Sequence, residues 1–140
     1  MKIVSYTYKP QLKDSILKLE GLRFHKSSDD IIQTIAKEYG LPLDKNKIYI
    51  GYKGHYVALE YFENGIYEVD LCVEKTQRDA KKTVSIFKNI KKIFSILYYA
   101  TGYVAFIDKH HKVARVNAVR CGFVFWKEIE NLRIYYSGRF

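Results

Sequence analysis

Residues 110–123 read HHKVARVNAVRCGF, and this stretch decides how the rest of the chain is interpreted. Its small side chains recur at helical spacing: Ala114, Ala118 and Cys121. They share one face of a predicted short helix over Lys112–Cys121. Gly122 follows at the position where a left-handed residue ends many helices. We therefore expect a helix whose small-residue face packs closely against another element.

Strands are predicted on both sides of this helix. Tyr103–Ile107 precedes it, Phe123–Ile129 follows it, and Leu132–Tyr136 completes a hairpin through Glu130 and Asn131. β-Branched and aromatic side chains dominate these runs, which is typical of strands. The last third of the chain is therefore predicted to be a strand, a helix and two further strands.

The middle of the chain changes from a period of two to a helical period. Three predicted strands with short turns come first: Ile48–Tyr52, Tyr56–Phe62 and Ile66–Val73. The second turn contains Asn64-Gly65, the strongest short signal of a hairpin. A single apolar stripe then runs along Ala80–Tyr98, which predicts a long amphipathic helix.

Three more elements are predicted at the start of the chain. They are a strand over Lys2–Tyr8, a helix over Gln11–Leu22, and a helix that starts at Ser27–Asp30 and stops at Gly40. The element order is then β-α-α-β-β-β-α-β-α-β-β. With 140 residues, 48% of them hydrophobic, the chain suits one α+β domain over residues 1–140. We expect a mixed central sheet of about six to seven strands flanked by helices.

Charge and cysteine usage limit the classes of function. The net charge of +9 favours an anionic partner, which includes nucleic acid, an acidic protein or a phosphorylated cofactor. Nucleic acid is disfavoured because no zinc, helix-turn-helix or ribonucleoprotein pattern is present. Cys72 and Cys121 lack metal-ligand spacing and are expected to be buried thiols. No metal site is expected at Asp108, His110 and His111, because no further ligand pattern supports one.

Neither a signal peptide nor a membrane span is recognisable in the sequence. The chain starts directly with strand-like sequence, and its longest apolar region, Ile93–Phe106, is interrupted by polar residues and a glycine. We therefore expect a cytoplasmic protein that does not contact a membrane.

The element order and the pair Gly122-Phe123 resemble the GNAT superfamily of N-acetyltransferases over nearly the whole chain. Ala114 matches the family's pattern of Asn-x-x-Ala before the glycine, and His111 stands where the family has asparagine. The likeness is greatest to divergent GNAT-like proteins of bacteriophages, some of which are virion components. The resemblance therefore implies the GNAT fold, with the host cytoplasm or a virion as the location if a phage encodes the protein.

The resemblance also implies a binding site for acetyl-CoA as cosubstrate. In the family, acetyl-CoA lies between two splayed strands, and its pyrophosphate contacts amides at the start of the long helix. The family pattern there is Gln/Arg-x-x-Gly-x-Gly/Ala, in which Arg78 takes the first position while Lys81 and Thr83 replace the small residues. The implied cofactor-binding residues are Leu71, Cys72, Val73, Arg78, Lys81, Lys82, Thr83 and His111. The residues alone leave two alternatives open, an anion site or a solvated basic helix end.

The resemblance implies a carboxylate base on the central strands and a tyrosine that protonates the leaving thiolate. The carboxylate candidates are Glu60, Glu68 and Asp70. Glu68 and Asp70 share one strand face, and such a pair can raise the pKa of one carboxyl. The family's tyrosine position holds Ala118, so Tyr99 is taken as the catalytic tyrosine, with Tyr98 and Tyr103 as alternatives.

Two functions follow from the resemblance and remain open at the level of sequence. The first is transfer of an acetyl group from acetyl-CoA to an amine, for which a host protein is one candidate acceptor. The second is a catalytically degenerate GNAT-fold protein that acts through interactions or is associated with a virion. Binding of acetyl-CoA separates the two.

Overall fold

Seven strands and three helices make up the described part of the chain, residues 21–139, in this computed structural model. The strands are β1 (Arg23–His25), β2 (Ile48–Tyr52), β3 (His55–Glu63), β4 (Ile66–Val73), β5 (Gly102–Asp108), β6 (Val124–Ile129) and β7 (Leu132–Gly138). The helices are α1 (Asp30–Tyr39), α2 (Ala80–Tyr98) and α3 (Lys112–Arg120), and a 3-10 turn covers Lys75–Gln77. The strand predicted over Lys2–Tyr8 and nearly all of the helix predicted over Gln11–Leu22 lie outside the described residues.

All seven strands belong to one sheet, in the order β1-β2-β3-β4-β5-β7-β6. Only β4 and β5 are parallel among these neighbours; the other pairs are antiparallel. The predicted α+β class and mixed sheet are confirmed. The strand β1 was not predicted, because a run of only three residues carries no readable alternation.

The pairing of β4 with β5 stops halfway along the two strands. The register joins Ile66 to Gly102, Tyr67 to Tyr103 and Glu68 to Val104. Both strands then continue, β4 to Val73 and β5 to Asp108, without pairing to each other. Backbone groups along the two facing edges are therefore free of a ladder partner, and a gap opens in the centre of the sheet.

The sheet is covered by helices on both faces. On one face, α2 contributes Ile86, Phe87, Ile90 and Phe94 to the larger core cluster. The Phe94 ring stacks on Tyr98, with 4.4 Å between the ring centroids. On the other face, α1 contributes Ile32 and Ile35 to a second cluster, which also includes Leu41, Tyr49, Tyr56 and Ala58. None of the described helices combines the length and apolar character needed to cross a membrane.

A complete cap ends α3. The Phe123 amide donates to the Ala118 carbonyl at 2.9 Å, and the Gly122 amide donates to the Val119 carbonyl at 3.0 Å. These two bonds form a Schellman motif, in which the glycine adopts a left-handed conformation. Gly122 has a φ of +93°, which confirms the predicted cap.

Replacing Gly122 by alanine is expected to lower the free energy of unfolding by about 1 kcal/mol, because a Cβ is strained at positive φ. An added Cβ would meet no atom within 4 Å, so the backbone conformation alone determines the cost. Gly138→Ala is the matched control, since its Cβ also meets nothing and its φ is not positive. Denaturant unfolding that gives both variants the same stability would contradict the cap.

Candidate active site

A cleft of about 240 Å³ lies where β4 and β5 separate. It is bordered by Val69, Asp70 and Leu71 of β4, by Ala105–Asp108 of β5, and by Phe87, His111, Ala114, Asn117, Ala118, Cys121 and Phe123. The small-residue face of α3 has two surroundings. Cys121 is buried in the larger core cluster and Ala118 packs against that cluster, as expected, whereas Ala114 and Ala118 also border the open cleft. The cause is that α3 lies beside the gap in the sheet.

A second groove, of about 620 Å³, connects this cleft with the start of α2. The two share Leu71, His111, Ala114 and Asn117, so one path runs from the gap in the sheet to the helix. Six of the eight predicted cofactor-binding residues border this groove: Leu71, Cys72, Val73, Arg78, Thr83 and His111. The side chains of Lys81 and Lys82 border other grooves.

The first turn of α2 has fewer free amides than a bare helix end. The carboxylate of Asp79, the N-cap residue, accepts the Lys82 amide at 3.2 Å, and the Asp79 carbonyl accepts the Thr83 amide at 2.8 Å. Within residues 21–139, no acceptor is found for the amides of Ala80 and Lys81. An anion at this helix end therefore has two helix amides available, and it must lie near the Asp79 carboxylate.

Arginine supplies the positive charge along the groove. Arg78 donates from Nε to the Val73 carbonyl at 3.2 Å, and its guanidinium lies 5.8 Å from the centre of the Tyr39 ring. Arg120 borders the same groove from α3 and was not predicted, because only the fold brings it close to α2. The Lys82 ammonium instead donates to Gln77 Oε1 at 2.9 Å, on the side of a separate groove.

Thr83 points into the protein rather than blocking the groove. Its hydroxyl donates to Nε2 of the fully buried His55 at 2.9 Å, because His55 Nδ1 donates to the Lys53 carbonyl at 2.9 Å. Burial lowers the pKa of His55, and the charge of nearby Lys82 adds to this effect. His55 is therefore neutral at pH 7 and holds the first turn of α2 against β3.

The lowered pKa of His55 predicts a dependence of stability on pH. Below the usual pKa of 6.5, His55 takes up a proton in the unfolded chain but stays neutral in the folded protein until the pH is lower. Stability is therefore fully present above pH 6.5 and declines as the pH falls, by at most about 1.4 kcal/mol per pH unit. In denaturant unfolding, His55→Gln is expected to weaken this dependence of the unfolding free energy on pH. Exposed His110→Gln is the control, and an equal weakening in that variant would contradict the assignment.

Three carboxylates surround one buried ammonium at the edge of the cleft. The Lys47 Nζ atom lies 3.0 Å from Glu60 Oε1, 3.6 Å from Glu68 Oε2 and 4.0 Å from Asp70 Oδ2. Glu60 and Glu68 are paired across β3 and β4, and Ala58 is paired with Asp70. The predicted shared face of Glu68 and Asp70 is therefore confirmed. Lys47 was not predicted, because no local pattern links it to residues on the neighbouring strands.

Asp70 is the member of this cluster that borders the cleft. Burial raises the pKa of its carboxyl, Lys47 partly offsets the rise, and the charges of Glu68 and Glu60 increase it. Burial alone would lower the pKa of Lys47, but its hydrogen bond to Glu60 and the charges of Asp70 and Glu68 raise it. The cleft is therefore bordered by a carboxyl group of raised pKa, which lies beside a lysine that is charged at pH 7.

None of the three tyrosine candidates borders the cleft. Tyr99 ends α2 with a φ of 55°, beside the end of the sheet where β4 and β5 remain paired. Tyr98 packs on the core, and Tyr103 donates its hydroxyl to the Lys91 carbonyl at 3.0 Å. Burial raises the pKa of Tyr103 to about 12. The sequence led us to expect Tyr99 in the site, and the structure corrects this, because Tyr99 lies at the opposite end of the strands.

Polar groups other than tyrosine border the cleft. Asn117 lies at the junction of the cleft and the groove. His111 is the N-cap of α3, and its Nδ1 accepts the Ala114 amide at 3.2 Å, which leaves Nε2 available to face the junction. Cys121 is buried, and burial raises the pKa of its thiol. Within residues 21–139, no three His, Cys, Asp or Glu side chains are arranged to hold a metal ion.

Solved N-acetyltransferases have the same fold. PseH of Campylobacter jejuni matches with a TM-score of 0.64 and 9% identity, over 84% of this chain and 98% of its own. PseH in complex with acetyl coenzyme A gives 0.63 and 11% over the same shares. A mutant of the spermidine N-acetyltransferase SpeG from Vibrio cholerae gives 0.65 and 10%, over 84% of this chain and 92% of its own. The chain therefore has the GNAT fold.

No protein-family model matches the chain, and no curated protein matches its sequence.

Proposed function

We propose that this protein is an N-acyltransferase that transfers an acetyl group from acetyl-CoA to an amine. One observation carries the proposal: β4 and β5 separate immediately after the Glu68–Val104 pair, and Asp70 borders the cleft that opens there. The same cleft continues to the start of α2. A carboxylate, a gap with free backbone groups and an anion site thus follow one another along a single path.

The residues along this path fit the parts of acetyl-CoA. The unpaired edges of β4 and β5 offer backbone donors and acceptors to the amide groups of a pantetheine arm. The amides of Ala80 and Lys81, with the guanidinium groups of Arg78 and Arg120, suit a pyrophosphate. A solved protein of this fold is known in complex with acetyl coenzyme A, which supports the assignment. When bound, acetyl-CoA supplies an acyl group activated as a thioester.

Asp70 acts as the general base in this proposal. It takes a proton from the incoming ammonium, directly or through one water, so that the amine nitrogen can attack the thioester carbonyl. A C–N bond forms and the C–S bond breaks, and the leaving thiolate takes up the second proton, which the attacking nitrogen releases as it becomes an amide. Glu60 and Glu68 lie beside Asp70 and favour a cationic acceptor near the cleft.

A transfer assay tests the proposal. The protein is incubated with acetyl-CoA and spermidine, an acceptor suggested by the name of one fold neighbour, or with a lysine-containing peptide, and released thiol is measured. We expect thiol release that depends on the amine. Acetyl-CoA that stays intact with small amines and peptides alike would oppose the enzymatic function.

The double variant Arg78→Ala/Arg120→Ala is expected to bind acetyl-CoA more than tenfold more weakly. Charge-assisted contacts to phosphate are worth roughly 1.5–3 kcal/mol each before screening by salt. Lys82→Ala is the contrasting variant, since its ammonium is bonded to Gln77 outside the groove. Equilibrium dialysis with labelled acetyl-CoA measures both. Equal losses of affinity for acetyl-CoA in the two variants would show that binding depends on positive charge in general and not on the groove.

The second candidate function is a protein of this fold that has lost the chemistry and acts through interactions. Two observations favour it: the Asp79 carboxylate stands at the anion site, and Ala118 lies where the resembled family places a tyrosine. A host protein as acceptor or partner, and the origin in a bacteriophage, rest on the sequence resemblance alone. We infer a cytoplasmic location because acyl-CoA is produced and consumed inside cells.

A further inference from the structure

The cleft ends in an apolar chamber on the side of the sheet that α2 and α3 cover. We define the chamber by six bordering residues: Val69, Phe87, Ala105, Ala118, Cys121 and Phe123. Five of them are buried and belong to the larger core cluster, and Ala118 packs against that cluster. The rings of Phe87 and Phe123, with centroids 5.9 Å apart, both belong to this lining. A group that enters the chamber therefore meets a hydrocarbon surface and one neutral thiol.

The chamber and the acid cluster lie on opposite faces of the same gap. Val69 and Asp70 are consecutive on β4, so their side chains point to opposite sides of the sheet. Val69 borders the chamber, whereas Asp70 meets Lys47 on the α1 side. A thioester carbonyl held in the gap would thus have a base on one side and a hydrocarbon surface on the other.

Small side chains keep the chamber open. Ala114 and Ala118 lie one turn apart on α3, and Ala105 of β5 borders the same cleft. Water gains little in such a space, because it needs polar partners that this lining does not provide. An acetyl group has a single methyl to place there, which would leave most of the apolar surface without contact.

We propose that the chamber receives the hydrocarbon tail of an acyl group, so that the preferred donor is an acyl-CoA longer than acetyl-CoA. This inference rests on the proposed function and changes only the length of the group transferred, not the bonds formed and broken. The cleft measures about 240 Å³. An apolar cavity of roughly 150 Å³ holds a six-carbon ring, so the chamber suits acyl chains of about four to six carbons, with the rest of the volume left for the thioester.

The expected preference follows from burial of apolar surface. Each methylene buried in the chamber is expected to strengthen binding about fourfold, so butyryl-CoA, with two more methylenes, should bind about sixteenfold more tightly than acetyl-CoA. Hexanoyl-CoA should bind at least as tightly as butyryl-CoA. Decanoyl-CoA should bring no further gain, because its chain exceeds the volume available.

The test is a set of dissociation constants for acetyl-, butyryl-, hexanoyl- and decanoyl-CoA, measured by isothermal titration. The wild type is compared with Ala118→Phe, which fills the chamber, and with Val119→Phe, which adds the same ring to the exposed face of α3. We expect Ala118→Phe to keep acetyl-CoA binding and lose the preference for longer chains. Val119→Phe should keep both.

Each outcome of this experiment supports or overturns the inference. If the wild type binds acetyl-CoA but gains nothing from longer chains, or if Ala118→Phe keeps the preference, the inference fails while the proposed function stands. If no acyl-CoA binds, both fail. Ala118→Leu, a smaller substitution at the same position in the chamber, replaces Ala118→Phe if thermal unfolding shows that the latter does not fold.

Discussion

Asp70→Asn is expected to lower kcat/KM for acyl transfer by about 10²–10⁴, the usual contribution of a positioned general base. The amide cannot accept the proton of the incoming amine, while its size and its place on β4 are unchanged. The affinity for acetyl-CoA should stay the same, because Asp70 meets Lys47 on the α1 side of the gap, opposite the chamber. Steady-state kinetics with the acceptor that gives the highest rate checks the first effect, and titration checks the second.

Glu63→Gln is the matched control for this experiment. Glu63 is an exposed carboxylate at the end of β3, and it lies neither in the acid cluster nor at the cleft. Its removal changes the net charge by the same amount, so the rate should stay close to that of the wild type. An Asp70→Asn variant with full activity would assign the proton transfer to another group.

Lys47→Met is expected to lower the free energy of unfolding by about 2 kcal/mol, because three carboxylates lose the cation that lies among them. The estimate lies between buried and exposed pairs, since the lysine side chain is 7% exposed and its partners are about one-third exposed. Lys47→Arg keeps the charge and should recover much of the loss. Denaturant unfolding at pH 7 measures both variants.

Lys47→Met should also move the pH profile of the reaction. Lys47 lowers the pKa of Asp70, so the carboxyl should hold its proton to a higher pH when the lysine is absent. The acid limb of kcat/KM, which reports the base of the free enzyme, is therefore expected to shift to higher pH. An unchanged limb together with the loss of stability would mean that the lysine has a structural role alone.

Most of the fold was readable from the sequence because its signals are local. The apolar stripe of Ala80–Tyr98, the Asn-Gly turn after β3 and the glycine after α3 each depend on residues close to one another in the chain. The short strand β1 was missed because it forms only by pairing with β2. The packing of α3 was only partly readable, because small residues are equally compatible with a close neighbour and with an open cleft, and this face borders both.

The site was only partly readable because contacts distant in sequence build it. Asp70, Arg78 and His111 border the cleft or the groove because the order of elements determines where each of them lies, and their roles stay predictions. The contact of Lys47 with β3 and β4, and the bond between His55 and Thr83, arise from strand register and helix placement. The spacing of residues in the sequence does not predict such contacts. Tyr99 was expected in the site for the same reason. Its local sequence shows that it ends a helix, but not at which end of β4 and β5 that helix end lies.

Isothermal titration of the wild-type protein with acetyl-CoA at low ionic strength tests the central claim most directly, since both the reaction and the chamber require that an acyl-CoA enters the cleft between β4 and β5. We expect saturable heat with one site per chain, and an affinity that falls as salt is added, because phosphate contacts with the arginines are screened. The absence of binding heat at low salt, from protein that unfolds cooperatively, would contradict the account.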